Sequence, residues 1–210
     1  MGINSHKYSI LDQFNVSRET YYQLDHYKDL VLEKNQKINL ISRKDSKNLV
    51  ERHIIDCAQA IDFIDLNMKI CTDLGSGAGL PGIVIAIMLR DKKKNIRMNL
   101  FEKSHHKSNF LREVKEKLKL DVNIYQKDLS EEKNLTSGSV IARAFKPLPL
   151  ILEIMGNNFS NFSNLVVFMG KNGKQLIEDS IKKWDFEYKN KRSITSKDSF
   201  LINIKNVKKK

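Results

Sequence analysis

The spacing of apolar residues changes character partway along the chain. Up to about residue 66, apolar positions recur every three or four residues. Tyr21, Leu24, Tyr27 and Val31 form one such stripe, and Val50, Ile54, Cys57, Ala58, Ile61 and Ile64 form another. That period places them on one face of a helix. Ser17 is suited to cap the first helix, with Glu19 in its opening turn to meet the positive dipole end, and the stripe carries it to about Lys37. INLISRKDS reads as the loop between the two helices, and residues 1–15 show no clear pattern.

From residue 69 short apolar runs alternate with amphipathic ones. KICTDL, IRMNLF, VNIYQ, SVIAR, LVVFMG and FLINI read as strands, and WDFEYK precedes the last of them. IVIAIMLR, KSNFLREVKEKLKL, PLPLILEIM and KQLIEDSIKKW read as helices. Strands alternating with helices predict βαβ units and a mostly parallel, doubly wound α/β sheet. The expected organisation is a helical segment, residues 1–67, packed on a larger domain, residues 68–210.

Composition narrows the classes. With 210 residues and 40% hydrophobic content the chain is globular and long enough for one sizeable core. No apolar run approaches the ~20 residues of a membrane-spanning helix. The N-terminus MGINSHKYSI lacks an apolar signal core, and it has no Ser or Thr at the sixth position, where a myristoylation signal wants one. A cytoplasmic protein is expected. Cys57 and Cys71 carry no CxxC spacing and read as apolar fillers of a reduced protein. A net charge of +12, dense in DKKKNIR and KNVKKK, favours a polyanionic partner, nucleic acid first.

The chemistry concentrates in DLGSGAGLPG, residues 73–82, a glycine-rich turn directly after a strand. Gly77, Gly79 and Gly82 match a dinucleotide fingerprint formally. However, Asp73 would repel a pyrophosphate, Pro81 removes a backbone donor, and the match starts four residues past the strand. A P-loop is excluded because Ile83 and Val84 follow Gly82 in place of Lys and Ser/Thr. A nucleoside with a cationic tail suits the loop better. S-adenosylmethionine carries an ammonium and a sulfonium, which makes Asp73 attractive, and Gly75, Gly77 and Gly79 let the backbone approach it closely. Glu102, at the end of the next strand, is placed to accept hydrogen bonds from both ribose hydroxyls. Asp128, Leu129 or Ser130, after the third strand, would lie beside the adenine. His105 and His106 are adjacent and diverge on a helix, so no metal site is expected.

Together these residues resemble the RsmG (GidB) family of bacterial small-subunit rRNA guanine-N7 methyltransferases. The resemblance runs from about residue 20 to the end. It is carried by Asn35, Asn39 and Leu40, RHIIDC (52–57), DLGSGAGLPGI (73–83), LFEKSHHKSNFL (100–111), IARAFKPL (141–148) and GKNGK (170–174). It implies a seven-stranded sheet with an antiparallel last strand, S-adenosylmethionine as cofactor, and methylation of N7 of a guanosine in the 530 loop of 16S rRNA. The partner would be 16S rRNA or a small-subunit particle, and the protein a monomer.

By matching positions, Gly75, Leu80, Leu129, Ser130 and Arg143 would meet the cofactor, and Arg52, His53, Arg143 and Lys171 the RNA. Read by itself, His53 has two roles open to it, direct catalysis or an anchor of the N-terminal helices with Arg52 and Asp56, and the anchor is preferred. Lys34 and Ile41 depart from the family's usual Trp and Thr, and Lys127 or Asp128 stands where an Arg is usual. Guanine N7 has a lone pair and no proton to lose, so alignment suffices and no catalytic base is expected; positioning can supply up to about 7–11 kcal/mol. A non-catalytic RNA-binding protein and an NAD-linked oxidoreductase are the competing readings. The intact Asp73–Glu102 set opposes the first, and Asp73 with Pro81 opposes the second.

Overall fold

The computed structural model describes residues 8–92 and 95–210. The extreme N-terminus and Lys93–Lys94 of the first basic run lie outside the described residues. Seven strands form one sheet: β1 (Ile70–Leu74), β2 (Arg97–Phe101), β3 (Val122–Tyr125), β4 (Leu135–Ala142), β5 (Phe159–Met169), β6 (Trp184–Arg192) and β7 (Phe200–Lys209). Their order is β3-β2-β1-β4-β5-β7-β6. The β1–β2, β1–β4, β2–β3 and β4–β5 pairs are parallel, while β7 runs antiparallel to both β5 and β6. The doubly wound topology and the reversed last strand are as expected. The order switches direction between β1 and β4, the place where open α/β sheets take ligands.

Strand alternation decides which side chain serves which face. Ile141, Val166 and Leu201 point into one apolar cluster, and their neighbours Val140, Ala142, Leu165, Val167 and Ile202 into the other. The second face is covered by α6 (Leu148–Asn158) and α7 (Gly173–Ile181). The first face carries α4 (Gly82–Asp91) and α5 (His105–Leu118), and the N-terminal helices lie over them.

α4 is apolar all round, with every residue from Gly82 to Leu89 buried. A helix of that composition must be covered on both sides. The sheet covers one side. The other is covered by α1 (Arg18–Asn35), whose Tyr27, Leu30 and Val31 are buried. One core cluster therefore runs from Tyr8 to the sheet.

Local chemistry sets the N-terminal element ends. Ser17 Oγ accepts from Thr20 N at 3.3 Å, capping α1. At the other end Asn35 Oδ1 accepts from Leu40 N at 2.8 Å and Ile41 N at 3.0 Å, which stops the helix two residues earlier than its stripe suggests. Two features were illegible in the pattern. A 3-10 helix, Ser9–Phe14, buries Leu11 and Phe14, and a short helix α2, Arg43–Ser46, is capped by Ser42 within the presumed loop. The helical stretch 50–63 begins with a π-helical turn over Val50–Ile55, continues through α3 (Asp56–Ala58), and ends as a 3-10 helix over Gln59–Phe63.

The end of that stretch is tied to the sheet by Asn164 of β5. Its Oδ1 accepts from Ser139 Oγ at 2.7 Å, and its Nδ2 donates to the Phe63 carbonyl at 2.8 Å and to Asn203 Oδ1 at 2.6 Å. Ser139 Oγ in turn accepts from Asp65 N at 2.8 Å. Removing one member strands several buried polar atoms. Asn164→Ala is expected to lower stability by about 2 kcal/mol, read from the urea midpoint. A loss no greater than that of an exposed substitution would mean the network contributes little.

Candidate cofactor and substrate site

The glycine-rich loop after β1 is held by backbone and carboxylate contacts. Ser76 N donates to the Phe101 carbonyl at 2.9 Å and Gly79 N to the Ser76 carbonyl at 2.7 Å. Gly77 N donates to Glu102 Oε2 at 2.8 Å, and Gly82 N to Asp73 Oδ2 at 3.0 Å. Gly75 (φ +69°) and Gly79 (φ +99°) lie in the left-handed region. A Cβ at Gly75 would overlap the Phe145 ring, and one at Gly79 would press on Ile83, so both positions need glycine for space as well as for φ.

Glu102 is 8% exposed and holds both sides of the mouth, since its Oε1 accepts from Ser104 N at 2.8 Å at the start of α5. Asp73 is fully buried beneath the loop, turned to the first turn of α4. Its second oxygen, Oδ1, has no hydrogen-bond partner among the described residues. Burial pushes its carboxyl up to about 7, with the Glu102 charge adding to the rise and Ser76, Gly82 and Arg143 opposing it.

Two cavities open at the carboxyl edge of the sheet. The first, about 230 Å³, is bounded by Gly75, Glu102, Asp128, Leu129, Phe145 and Lys146 among others. The second, about 290 Å³, lies over the ends of β4 and β5 and is lined mainly by Ala142, Phe145, Leu148, Val167, Phe168 and Gly170. Ala144, Phe145 and Lys146 belong to both linings, so this short segment is their common wall.

Of the residues singled out in the sequence, Gly75, Glu102 and Leu129 come together on the first cavity, and Gly77 is bonded to Glu102 behind it. Leu80 is buried in the core beside the loop. Ser130 turns to Asp128, its N and Oγ donating at 3.1 and 2.8 Å.

Arg143 lines neither cavity. Its Nε donates to Asp56 Oδ2 at 3.2 Å and its Nη2 to the Arg52 carbonyl at 3.1 Å, with the guanidinium against Phe168. Asp56 also accepts from Gln59, Ser193 and Thr195. The arginine expected at the cofactor is thus drawn to the N-terminal helices by this carboxylate. His53 Nε2 lies 3.3 Å from Asp45 Oδ1, and burial holds its pKa below the usual value, with Arg143 adding to the shift. Arg52 and Lys171 are exposed, Lys171 directly after Gly170 on the second cavity. Phe145 and Lys146 had no role assigned from sequence, although the IARAFKPL motif contains both. Among the described residues no group of three His, Cys, Asp or Glu converges as a metal site, and no helix is long and apolar enough to cross a membrane.

The model of the GidB family, rRNA small subunit methyltransferase G, matches residues 20–202. The chain belongs to this family. It is 51% identical over 205 residues to the ribosomal RNA small subunit methyltransferase G of Pelagibacter ubique, covering 97% of this chain and 96% of that one. The protein of the same name from a Ruegeria species is 30% identical over 197 residues, covering 94% and 96%. Among solved structures, M. capricolum TrmK in complex with S-adenosyl-homocysteine superposes with a TM-score of 0.53 at 16% identity, covering 71% of this chain and 66% of that one. That likeness is one of fold. The other family motifs also gain a place: Asn35 closes α1, and Asp56 of RHIIDC meets Arg143 of IARAF.

The buried carboxyl of Asp73 makes stability depend on pH. Its folded-state pKa, about 7, lies above the unfolded value of 3.8, so the folded protein keeps a proton that the unfolded chain releases. The group's contribution is favourable at low pH and is lost as pH rises from about 4 to about 7. Asp73→Asn, which keeps an oxygen for Gly82 N, is expected to remove this slope. Urea midpoints for both proteins across that window test it, and parallel curves would show that Asp73 carries no such proton.

Proposed function

We propose that this chain transfers a methyl group from S-adenosylmethionine to N7 of a guanosine in the 530 loop of 16S rRNA. It acts as a cytoplasmic monomer, on the rRNA itself or on a small-subunit particle. Family membership supports methylation of small-subunit rRNA, and the site supports the cofactor. The observation that carries the cofactor reading is the pairing of Glu102, on the cavity wall, with an unpartnered buried oxygen on Asp73 next to the same loop.

The residues fit such a ligand. Glu102 keeps acceptor capacity beyond its two backbone donors and would take the ribose hydroxyls. An ammonium donor would satisfy the free Oδ1 of Asp73 under the loop and draw its buried carboxyl to the ionised form. Leu129 offers an apolar surface for the adenine, with Asp128 beside it. Bound S-adenosylmethionine supplies an electrophilic methyl on a sulfonium. The second cavity, sharing the Ala144–Lys146 wall, receives the guanine, whose ring can rest on Phe145 or Phe168. The chain's task is then to hold the base in line and exclude water, because N7 needs no deprotonation. Lys146 lines this cavity and the exposed Lys171 follows Gly170 of its wall, so a polynucleotide backbone would pass beside both.

The decisive experiment incubates the purified chain with small-subunit particles lacking the modification and labelled cofactor, then maps the methylated atom. N7 of one guanosine in the 530 loop is expected; methyl transfer to another atom or no transfer would reject the reading. Cofactor class is tested separately by melting shifts. S-adenosyl-homocysteine at 100 times its Kd should add about 2.7 kcal/mol and NAD should add nothing. Glu102→Ala should weaken S-adenosyl-homocysteine binding by about 1.5–3 kcal/mol in calorimetry and leave RNA binding nearly intact. Lys171→Ala should lower the slope of log K against log salt for RNA binding by about 0.7–0.9. An unchanged slope would remove Lys171 from the RNA path.

A further inference from the structure

The glycine-rich loop is fixed by three side chains, and one of them does not come from the α/β domain. Glu102 holds Gly77 N–H and Asp73 holds Gly82 N–H. The third is Tyr27 of α1, whose hydroxyl donates to the Ala78 carbonyl at 2.8 Å across 51 residues of sequence. Tyr27 is fully buried, on the stripe that α1 presses against α4. A phenylalanine would fill that space as well as the ring does. The hydroxyl is the part that must find a partner there, and the partner it finds is the cofactor loop.

The position of that bond gives it leverage. Ala78 lies between Gly77 and Gly79, both left-handed and both without side chains to restrict them. The peptide unit joining Ala78 to Gly79 is held at both ends, its carbonyl by Tyr27 and its N–H by the Ser76 carbonyl at 2.7 Å. Without the phenol, the Ala78 carbonyl is a buried acceptor with no other side-chain partner among the described residues. Two glycines flanking an unsatisfied peptide allow it to turn toward water. The N–H of Gly77, which Glu102 holds, sits on the same short segment.

We infer that Tyr27 is a positioning residue for the cofactor, and that the N-terminal helical segment completes the cofactor site by fixing the Ala78–Gly79 peptide. The inference rests on the reading of this loop as the S-adenosylmethionine site. Tyr27 touches the loop from behind, so its effect is on the loop's preorganisation and not on a reacting atom.

Tyr27→Phe tests it, because the ring and its packing stay. Calorimetric titration with S-adenosyl-homocysteine should show binding weakened about five- to tenfold, with KM for S-adenosylmethionine rising in step and kcat unchanged. Amide exchange of the ligand-free protein should speed up in the peptide covering residues 75–82. Leu30→Ala, which removes a buried side chain from the same helix, serves as the control for general loosening. It should lower stability yet leave affinity at the wild-type value. Wild-type affinity and loop exchange in Tyr27→Phe would overturn the inference, as would an equal loss of affinity in Leu30→Ala. Failure of the wild-type chain itself to bind S-adenosyl-homocysteine would overturn the cofactor reading and the inference with it, so the two failures are told apart.

Discussion

The structure depends on two carboxylates that bond backbone N–H groups of one loop. Glu102 reaches from β2 to Gly77, and Asp73 reaches from β1 to Gly82. In that loop Gly75 and Gly79 are needed for space and for left-handed φ, and glycine alone would leave the segment loose. The carboxylates replace the restriction that side chains would otherwise give. Both oxygens accept in surroundings with little water, where such bonds are stronger and their loss more costly. The position of the first cavity, the start of α4 and the start of α5 all follow from these contacts.

The same contacts explain why the helical segment and the α/β part share a core. Once Asp73 fixes the first turn of α4 against the sheet, the outer side of that apolar helix has to be covered, and α1 covers it. Arg143 and Asp56 make a second connection, between the segment after β4 and α3. Ser193 and Thr195, in the loop between β6 and β7, join it by donating to the same Asp56 carboxylate. Three distant parts of the chain thus meet at one acidic side chain.

Much of this was legible in the sequence because it rests on local patterns. The βαβ alternation and the glycine loop follow from spacing, and the Ser17 cap from residue type. Glu102 followed from its place at a strand end. Other features were hidden because distant partners decide them. The 3-10 helix at Ser9–Phe14 has no periodic stripe, and it forms because Leu11 and Phe14 find the core. Arg143 carries a motif but no address, and only the fold brings Asp56 to it. Phe145 is an ordinary aromatic in sequence and becomes a cavity wall through its contact with Gly75. Tyr27 was recognised as part of an apolar stripe, which describes its ring and says nothing of its hydroxyl.

The burial of α4 on both sides also bears on how the chain is made. During synthesis α1 emerges before the helix it must cover, and its stripe of Tyr21, Leu24, Tyr27 and Val31 has no lasting apolar partner until α4 has followed. The loop that Tyr27 grips comes 51 residues later than Tyr27 itself. Contacts of that separation are closed late and carry a chain-closure cost before they are rewarded. The N-terminal segment of the nascent chain therefore spends its first moments with an exposed apolar stripe, the condition under which chaperones bind and neighbouring chains aggregate.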